Sequence, residues 1–222
     1  MAMEARFLPL STWRAIPDEE MQARSEAFAD ELARRRTVRQ FSDRPIPDGV
    51  LESCLRAAAT APSGANLQPW HFVVVTDPSI KHRIREAAER SEREFYANAP
   101  AEWLEALAPL GTDERKEYLD VAPALIAVFA ERYGVRAGGG RTTHYYVQES
   151  VGIAMGMLIT ALHHAGLVSL THTPSPMGFL NDILQRPARE KAALLLVVGF
   201  PGADARVPDI VRKPLGDVVT WR

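Results

Sequence analysis

A chain of 222 residues sits near the size of one large domain, since domains average roughly 100–200 residues and two independent folds would be cramped. Hydrophobic residues make up 46% and charged residues 24%, the balance of a protein that buries a core, which excludes disorder as the main state. Lys and Arg number 26 against 28 Asp and Glu, for a net charge of -2, so nothing electrostatic marks nucleic acid as a partner.

The single cysteine, Cys54, can neither close an intrachain disulfide nor supply a thiolate cluster, so a reducing, cytoplasmic setting and no metal are expected. The N-terminal residues MAMEARFLPLSTWRAIPDEE lack a basic region followed by an apolar one, so no export signal is expected. The most apolar stretch, VGIAMGMLITAL from Val151 to Leu162, has 12 residues, short of the roughly 20 that span a bilayer. It reads as a helix buried on nearly all sides, a common property of subunit interfaces.

In chain order, a first helix is predicted from Pro17 to Arg34, with Asp18, Glu19 and Glu20 in its opening turn where the helix dipole favours acids. It ends in a basic cluster of Arg34, Arg35, Arg36 and Arg39 around Thr37 and Val38, and QFSDRPIP then turns toward a second helix near Pro47. That helix, DGVLESCLRAAATA, places Val50, Leu51, Cys54, Leu55 and Ala58 on one face, and Pro62 stops it. Ala61 to Trp70 is a loop by composition, and HFVVVT, His71 to Thr76, reads as a buried strand. Asp77 followed by Pro78 opens a third helix with a capping oxygen and a first-turn residue that needs no donor. Ile80, Ile84, Ala88 and Phe95 mark its apolar face, while Glu92 and Tyr96 share another face four residues apart.

From Ala97 to Tyr118, Pro100, Pro109 and Gly111 interrupt short helical pieces, so a mobile lid excursion is expected around 91–118. A strand over Pro123 to Ala130, a loop at Gly138 to Gly140 and a long helix from about His144 to Ala165, capped by Gly166, follow. Next come a strand from Leu167 to Thr173, a short helix near Gly178 to Leu184 and a strand from Ala193 to Phe200. The tail, 203–222, holds VPDIVRKPLGDVV and is expected to run extended, as a strand or strap. Helices around four or five strands predict one three-layer α+β or α/β domain over residues 1–222.

Four arginines within six residues, joined by the Thr37 hydroxyl, suit a dianionic phosphate, because guanidinium forks and hydroxyls supply several charge-assisted bonds. The same run equally serves as a solvated helix end, and Arg212 and Lys213 in the tail are ordinary taken alone. PSGANLQPW offers small residues that let backbone N–H groups approach a ligand, with Asn66 and Gln68 able to bond polar ring edges. LTHTP places Thr171, His172 and Thr173 at a strand end, a usual place for ligand contacts. His172 there reads as a ligand or base, or as a histidine bonded to backbone. Glu92, Tyr96 and Lys116 offer an acceptor, a phenol and a cation, or a decorated surface.

Taken together, RRRTVRQFSDRPIP, TAPSGANLQPWHFVVV, HYYVQESVGIAMGMLITALHHAGL, LTHTPSPM and VPDIVRKPL resemble the flavin-dependent nitroreductase superfamily, and within it the iodotyrosine deiodinase branch. The resemblance runs from about Arg34 to Leu215, most of the chain. It implies a three-layer α/β/α fold with a central mixed sheet, a homodimer exchanging its C-terminal extensions, and two FMN molecules held between subunits. By the same resemblance Arg35, Arg36, Thr37 and Arg39 would hold the FMN phosphate and ribityl chain. Pro62, Ser63 and Gly64 would lie beside the flavin ring, with Thr171 and His172 also in contact. Arg212 would reach the phosphate or pyrimidine edge, and Thr173 would donate its hydroxyl to flavin N5, the catalytic contact.

In that branch a Glu-x-x-x-Tyr pair and a Lys ahead of Glu-Tyr-Leu grip the amino-acid end of a halotyrosine. Glu92, Tyr96 and Lys116 match, the last preceding Glu117, Tyr118 and Leu119; the backbone N–H of Ala65 would receive the phenolate. Two departures bear on substrate preference: a lid one residue shorter between Tyr96 and Trp103 than in vertebrate members, and His172 where those have Thr. Vertebrate members also carry an N-terminal membrane anchor; nothing in this sequence reads as one, so no membrane attachment is expected.

The expected activity is reductive dehalogenation of iodo-, bromo- or chlorotyrosine, with electrons ultimately from NAD(P)H, directly or through a reductase. A nitroreductase or quinone reductase acting on flat aromatics is the alternative enzyme; the absence of a G-x-G-x-x-G fingerprint does not count against it, because the superfamily stacks nicotinamide on the flavin. A flavin-fragmenting relative of cobalamin-ligand synthesis is a third branch, disfavoured by the Glu, Tyr and Lys set. A non-catalytic flavin or halotyrosine binder is the remaining reading.

Overall fold

The structure, a computed structural model, describes residues 5–222. They divide into two compact units, one ending at Arg35 and one spanning Arg36–Arg222. The first holds helix α1, Asp18–Ala33, with its acids in the first turn as predicted and no buried residue. Ion pairing along its surface includes Arg24 Nε to Glu20 Oε1 at 2.8 Å, the one-turn spacing that favours such pairs.

The second unit is built on a five-stranded sheet. Its centre is β3, Ala124–Glu131, paired antiparallel with β7, Glu190–Pro201. Strand β2, Trp70–Val75, flanks β3. On the other side of β7 lie β6, Val168–His172, and beyond its end the two-residue β1, Phe41–Ser42. These ladders are antiparallel, and the parallel component of the mixed sheet is the bridge between Thr37 and Ser169.

Why β3 and β7 are central follows from their composition. The first six residues of β3 are all buried, and because side chains alternate across a strand, both faces must be covered. Leu125, Ala127 and Phe129 enter one core with Ile84, Ala88, Leu119 and Leu180. Ile126 enters a second core with Cys54, Ala58, Leu158 and Leu162, and Leu196 and Val198 of β7 do the same. Helices α3 (Pro78–Asn98), α5 (Tyr118–Val121) and α7 (Phe179–Ile183) cover the first face; α2 (Val50–Ala59) and α6 (Val147–His164) cover the second. Three layers result.

Asp77 caps α3 as its sequence predicts, its Oδ1 accepting from the N–H groups of Ser79 and Ile80 at 2.8 and 3.1 Å. Helix α6 begins at Val147, later than the predicted His144, because the preceding residues form a hairpin, β4 (Tyr133–Val135) with β5 (Arg141–Thr143), around the predicted Gly138–Gly140 loop. Its buried stripe is Ser150, Val151, Ala154, Leu158 and Leu162. Ile153 is 45% exposed beside exposed Gly152 and Gly156, so this chain covers α6 on one side and not on nearly all. The excursion after α3 holds short helical pieces as its sequence predicts, α4 at Ala101–Leu107 and a 3-10 turn at Ala108–Leu110. The tail forms no strand among the described residues and has a single 3-10 turn, Leu215–Asp217. Its root is tied to Gln40, whose carbonyl accepts from the Gly202 N–H at 3.0 Å and whose Oε1 accepts from the Arg206 N–H at 2.6 Å.

Candidate active site

The end of β6 and the C-terminal half of α3 face each other across a cavity of about 260 Å3. Glu92 and Tyr96 stand one turn apart on α3, and the chain returns beneath them through Thr112 to Lys116. Lys116 Nζ lies 3.2 Å from Glu92 Oε2 and 3.4 Å from Thr112 Oγ1, and it donates to the Asp113 carbonyl. The Tyr96 hydroxyl donates to the Thr112 carbonyl at 3.1 Å. Lys116 is only 2% exposed; an ammonium this deep is costly unless paired, and Glu92 with the carbonyl supplies the pairing. Phe95 and Trp103, ring centroids 5.5 Å apart, form an apolar wall.

The floor is Leu170 to Thr173. Strand alternation leaves Thr171 and Thr173 exposed and sends His172 inward, its ring edge-on to Tyr118 with Nδ1 3.5 Å from the phenol oxygen. His172 Nε2 is buried and has no hydrogen-bond partner among the described residues. Burial, aided by the positive charges of Lys116 and Arg39, pushes the His172 pKa down to about 3. Burial likewise pushes the Tyr118 phenol well above its ordinary value. At neutral pH the pair is therefore an uncharged imidazole beside a protonated phenol.

Arg39 lines this cavity and a second one of about 360 Å3, shared with Thr37, Gln40, Gly111, Arg206 and Pro208. Among the described residues its guanidinium makes no hydrogen bond or ion pair, whereas Arg36 donates to the Pro208 carbonyl. Thr173 also borders a third cavity of about 670 Å3, walled by Gln148, Val151 and Met155 of α6, Met177 and Lys191. A guanidinium with open donor capacity and exposed hydroxyls on one rim form a donor set suited to a phosphorylated, partly aromatic ligand.

The structure thus gathers Arg39, Glu92, Tyr96, Lys116, Thr171, His172 and Thr173 around one cavity, with Thr37 beside it. Pro62, Ser63, Gly64 and Ala65 line none of the three cavities. Their loop docks on the start of α6: the Gly64 N–H donates to Ser150 Oγ at 3.3 Å, and Ser63 Oγ accepts from the Gln68 N–H at 2.9 Å. Ala65 is exposed in the left-handed region, φ 50°. Arg212 is exposed in the tail. Arg35 ends the first unit, its N–H bonded to the Leu32 carbonyl. Sequence reasoning gave no role to Tyr118 or Thr112; the available signal was their closeness in sequence to Lys116.

Known proteins align with this architecture. The profile described as Nitroreductase family matches residues 32–200. The iodotyrosine deiodinase of Haliscomenobacter hydrossis is 52% identical over 214 residues, covering 96% of each chain. That of Danio rerio is 49% identical, covering 90% of this chain and 68% of that one. Human iodotyrosine deiodinase 1 is 45% identical, covering 91% of this chain and 71% of that one. A crystal structure of oxidized iodotyrosine deiodinase bound to FMN and 3-iodo-L-tyrosine superposes with a TM-score of 0.77 at 34% identity, covering 88% of this chain and 97% of that one. Among the described residues no helix is long and apolar enough to cross a membrane. Because the matched span carries the sheet and every residue gathered at the cavity, the chain belongs to the nitroreductase family.

Proposed function

We propose that this chain is an FMN-dependent oxidoreductase that removes halide reductively from halotyrosines, giving tyrosine. The observation that carries the reading is the pairing of buried Lys116 with half-buried Glu92, 3.2 Å apart, roofed by aromatic rings over a strand end bearing exposed hydroxyls. A free amino acid brings one ammonium and one carboxylate, so it can exchange partners with this pair and leave no charge unanswered. Glu92 takes the ammonium; Lys116 and the Tyr96 hydroxyl take the carboxylate.

The donor set described above fits FMN. Thr37 and Arg39, with Arg35, Arg36 and Arg212, would hold its phosphate and ribityl chain. Pro62, Ser63 and Gly64 would flank its ring, Thr171 and His172 would lie beside it, and the Thr173 hydroxyl would donate to it. When bound and reduced, FMN supplies two electrons, which with one proton replace the carbon–halogen bond by carbon–hydrogen and release halide; the electrons originate from NAD(P)H, directly or through a reductase. The backbone N–H of Ala65 receives the phenolate oxygen. A halogen ortho to the hydroxyl lowers a phenol pKa from about 10, so a donor for the anion selects the halogenated ring. The lid over α4 closes on the bound amino acid and excludes water.

The protein acts as a homodimer. Two features support this: the exposed face of α6 around Ile153, and a tail with Ile210, Val211, Leu215 and Trp221 exposed, apolar side chains of the kind a subunit interface covers. A partner's Pro62–Ala65 loop and tail then complete each site. A cytoplasmic location accords with the buried free thiol of Cys54.

Anaerobically reduced holoprotein mixed with 3-iodotyrosine tests the activity. The flavin is expected to reoxidise with release of stoichiometric iodide. Stable reduced flavin in the presence of bound iodotyrosine would overturn the reading. Rapid NADPH oxidation with nitroaromatics and no halotyrosine affinity would replace it by the nitroreductase alternative.

A further inference from the structure

The segment that carries Lys116 is gripped along its length by one face of α3. Residues 81, 85, 89 and 92 fall on that face, spaced four, four and three apart. Glu89 Oε1 accepts the backbone N–H of Lys116 at 2.9 Å and the Arg85 Nε–H at 2.8 Å. Arg85 reaches on to Asp120 Oδ2 at 2.9 Å. Buried Lys81 donates to the carbonyls of Asp120 and Ala122 at 2.9 and 2.7 Å, satisfying groups that the short helix α5 leaves open. Glu92 meets the far end of Lys116. Lys116 is therefore held at both ends by carboxylates of a single helix, its backbone by Glu89 and its ammonium by Glu92.

We infer that Glu89 is a positioning residue for amino-acid recognition: by holding the Lys116 backbone against α3 it fixes the Lys116 ammonium relative to Glu92 before any ligand arrives. The inference rests on the proposed role of Glu92 and Lys116 in gripping the amino-acid end. Its consequence is a division of labour. Helix α3 and residues 116–122 form one prearranged body, and the closing motion belongs to the residues between Asn98 and Thr112. Burial raises the Glu89 carboxyl pKa, and the Lys116 N–H with Arg85 more than reverses that, leaving it below its ordinary value, as expected of an acceptor charged and engaged on both sides. Truncating Glu89 strips the Lys116 N–H of its acceptor and frees the segment to drift, while the charges of Glu92 and Lys116 remain.

The experiment titrates oxidised, FMN-loaded protein with 3-iodotyrosine and with 2-iodophenol, which has the ring but no amino-acid end, following the flavin absorbance. Wild type, Glu89→Ala, Glu89→Gln and Lys116→Met are compared. Glu89→Ala is expected to weaken 3-iodotyrosine about tenfold, the loss of one charge-assisted bond, and to leave 2-iodophenol unchanged. Glu89→Gln keeps an oxygen for the Lys116 N–H and should lose about threefold; it carries the test alone if the alanine variant does not fold. Loss in Lys116→Met without loss in either Glu89 variant overturns this inference alone. Equal weakening of both ligands by the Glu89 variants also overturns it, since that marks general damage. Undiminished 3-iodotyrosine binding in Lys116→Met overturns the underlying reading of the site and the inference with it.

Discussion

Replacing His172 by Gln should make the protein less sensitive to acid. In the folded chain the imidazole pKa is pushed from 6.5 down to about 3 by burial first, then by Lys116 and Arg39; Tyr118 is the remaining group against its ring. Between those two values the unfolded chain binds a proton that the folded chain refuses. Stability therefore falls as pH falls, by about 1.4 kcal/mol for each unit below 6.5. By about pH 5 the wild type has lost about 2 kcal/mol through this one group. A glutamine of similar size cannot take up the proton, so the variant escapes that loss while sharing every other acid-sensitive term. For a domain of this size the difference amounts to about 4–8 °C in thermal midpoint. The measurement is thermal unfolding of flavin-free wild type and His172→Gln at about pH 7.5 and about pH 5, apoprotein being used because bound ligand adds its own stabilisation. The wild-type midpoint should drop further than that of the variant. Parallel drops would refute the burial argument and place His172 in contact with solvent.

Two further outcomes follow from packing. A Cβ on Gly64 would stand 2.6 Å from the Tyr145 carbonyl oxygen, a backbone atom that cannot swing aside. Gly64→Ala should therefore cost about 1–3 kcal/mol and displace the Pro62–Ala65 loop; thermal unfolding reads the first effect and a weaker FMN dissociation constant the second. Leu158 is fully buried between α6 and the sheet with Ile126 and Leu196. Leu158→Ala should cost about 2–5 kcal/mol, seen as a lower urea midpoint with unchanged slope, and should leave halotyrosine affinity of the folded holoprotein intact.

Sequence alone determined the elements whose signal is local. The unbroken apolar runs at Ala124 and Ala193 announce central strands, since only a strand covered on both faces dispenses with polar residues. Asp77 and Pro78 announce the start of α3, and the Glu92–Tyr96 spacing places both on one helix face whatever the rest of the chain does. Elements with weak local signals are not legible in this way. The hairpin at Tyr133–Thr143 is short and interrupted by glycines, and β1 has two residues paired only because β7 continues past β6. Strand β7 begins at Glu190, earlier than its apolar run, because that buried carboxylate is satisfied by two bonds from Arg186 at 2.7 Å.

Tertiary structure alone decided the partners of the polar side chains. That Lys116 meets Glu92 at one end and Glu89 at the other depends on where the chain returns after the excursion. Alternation alone would set His172 opposite Thr171 and Thr173; only the packing of α5 says which side is interior. Hydrophobic periodicity is read over a few residues. An ion pair or a hydrogen bond across 24 residues, as between Glu92 and Lys116, is fixed by the closure of the whole fold, and no local pattern encodes it.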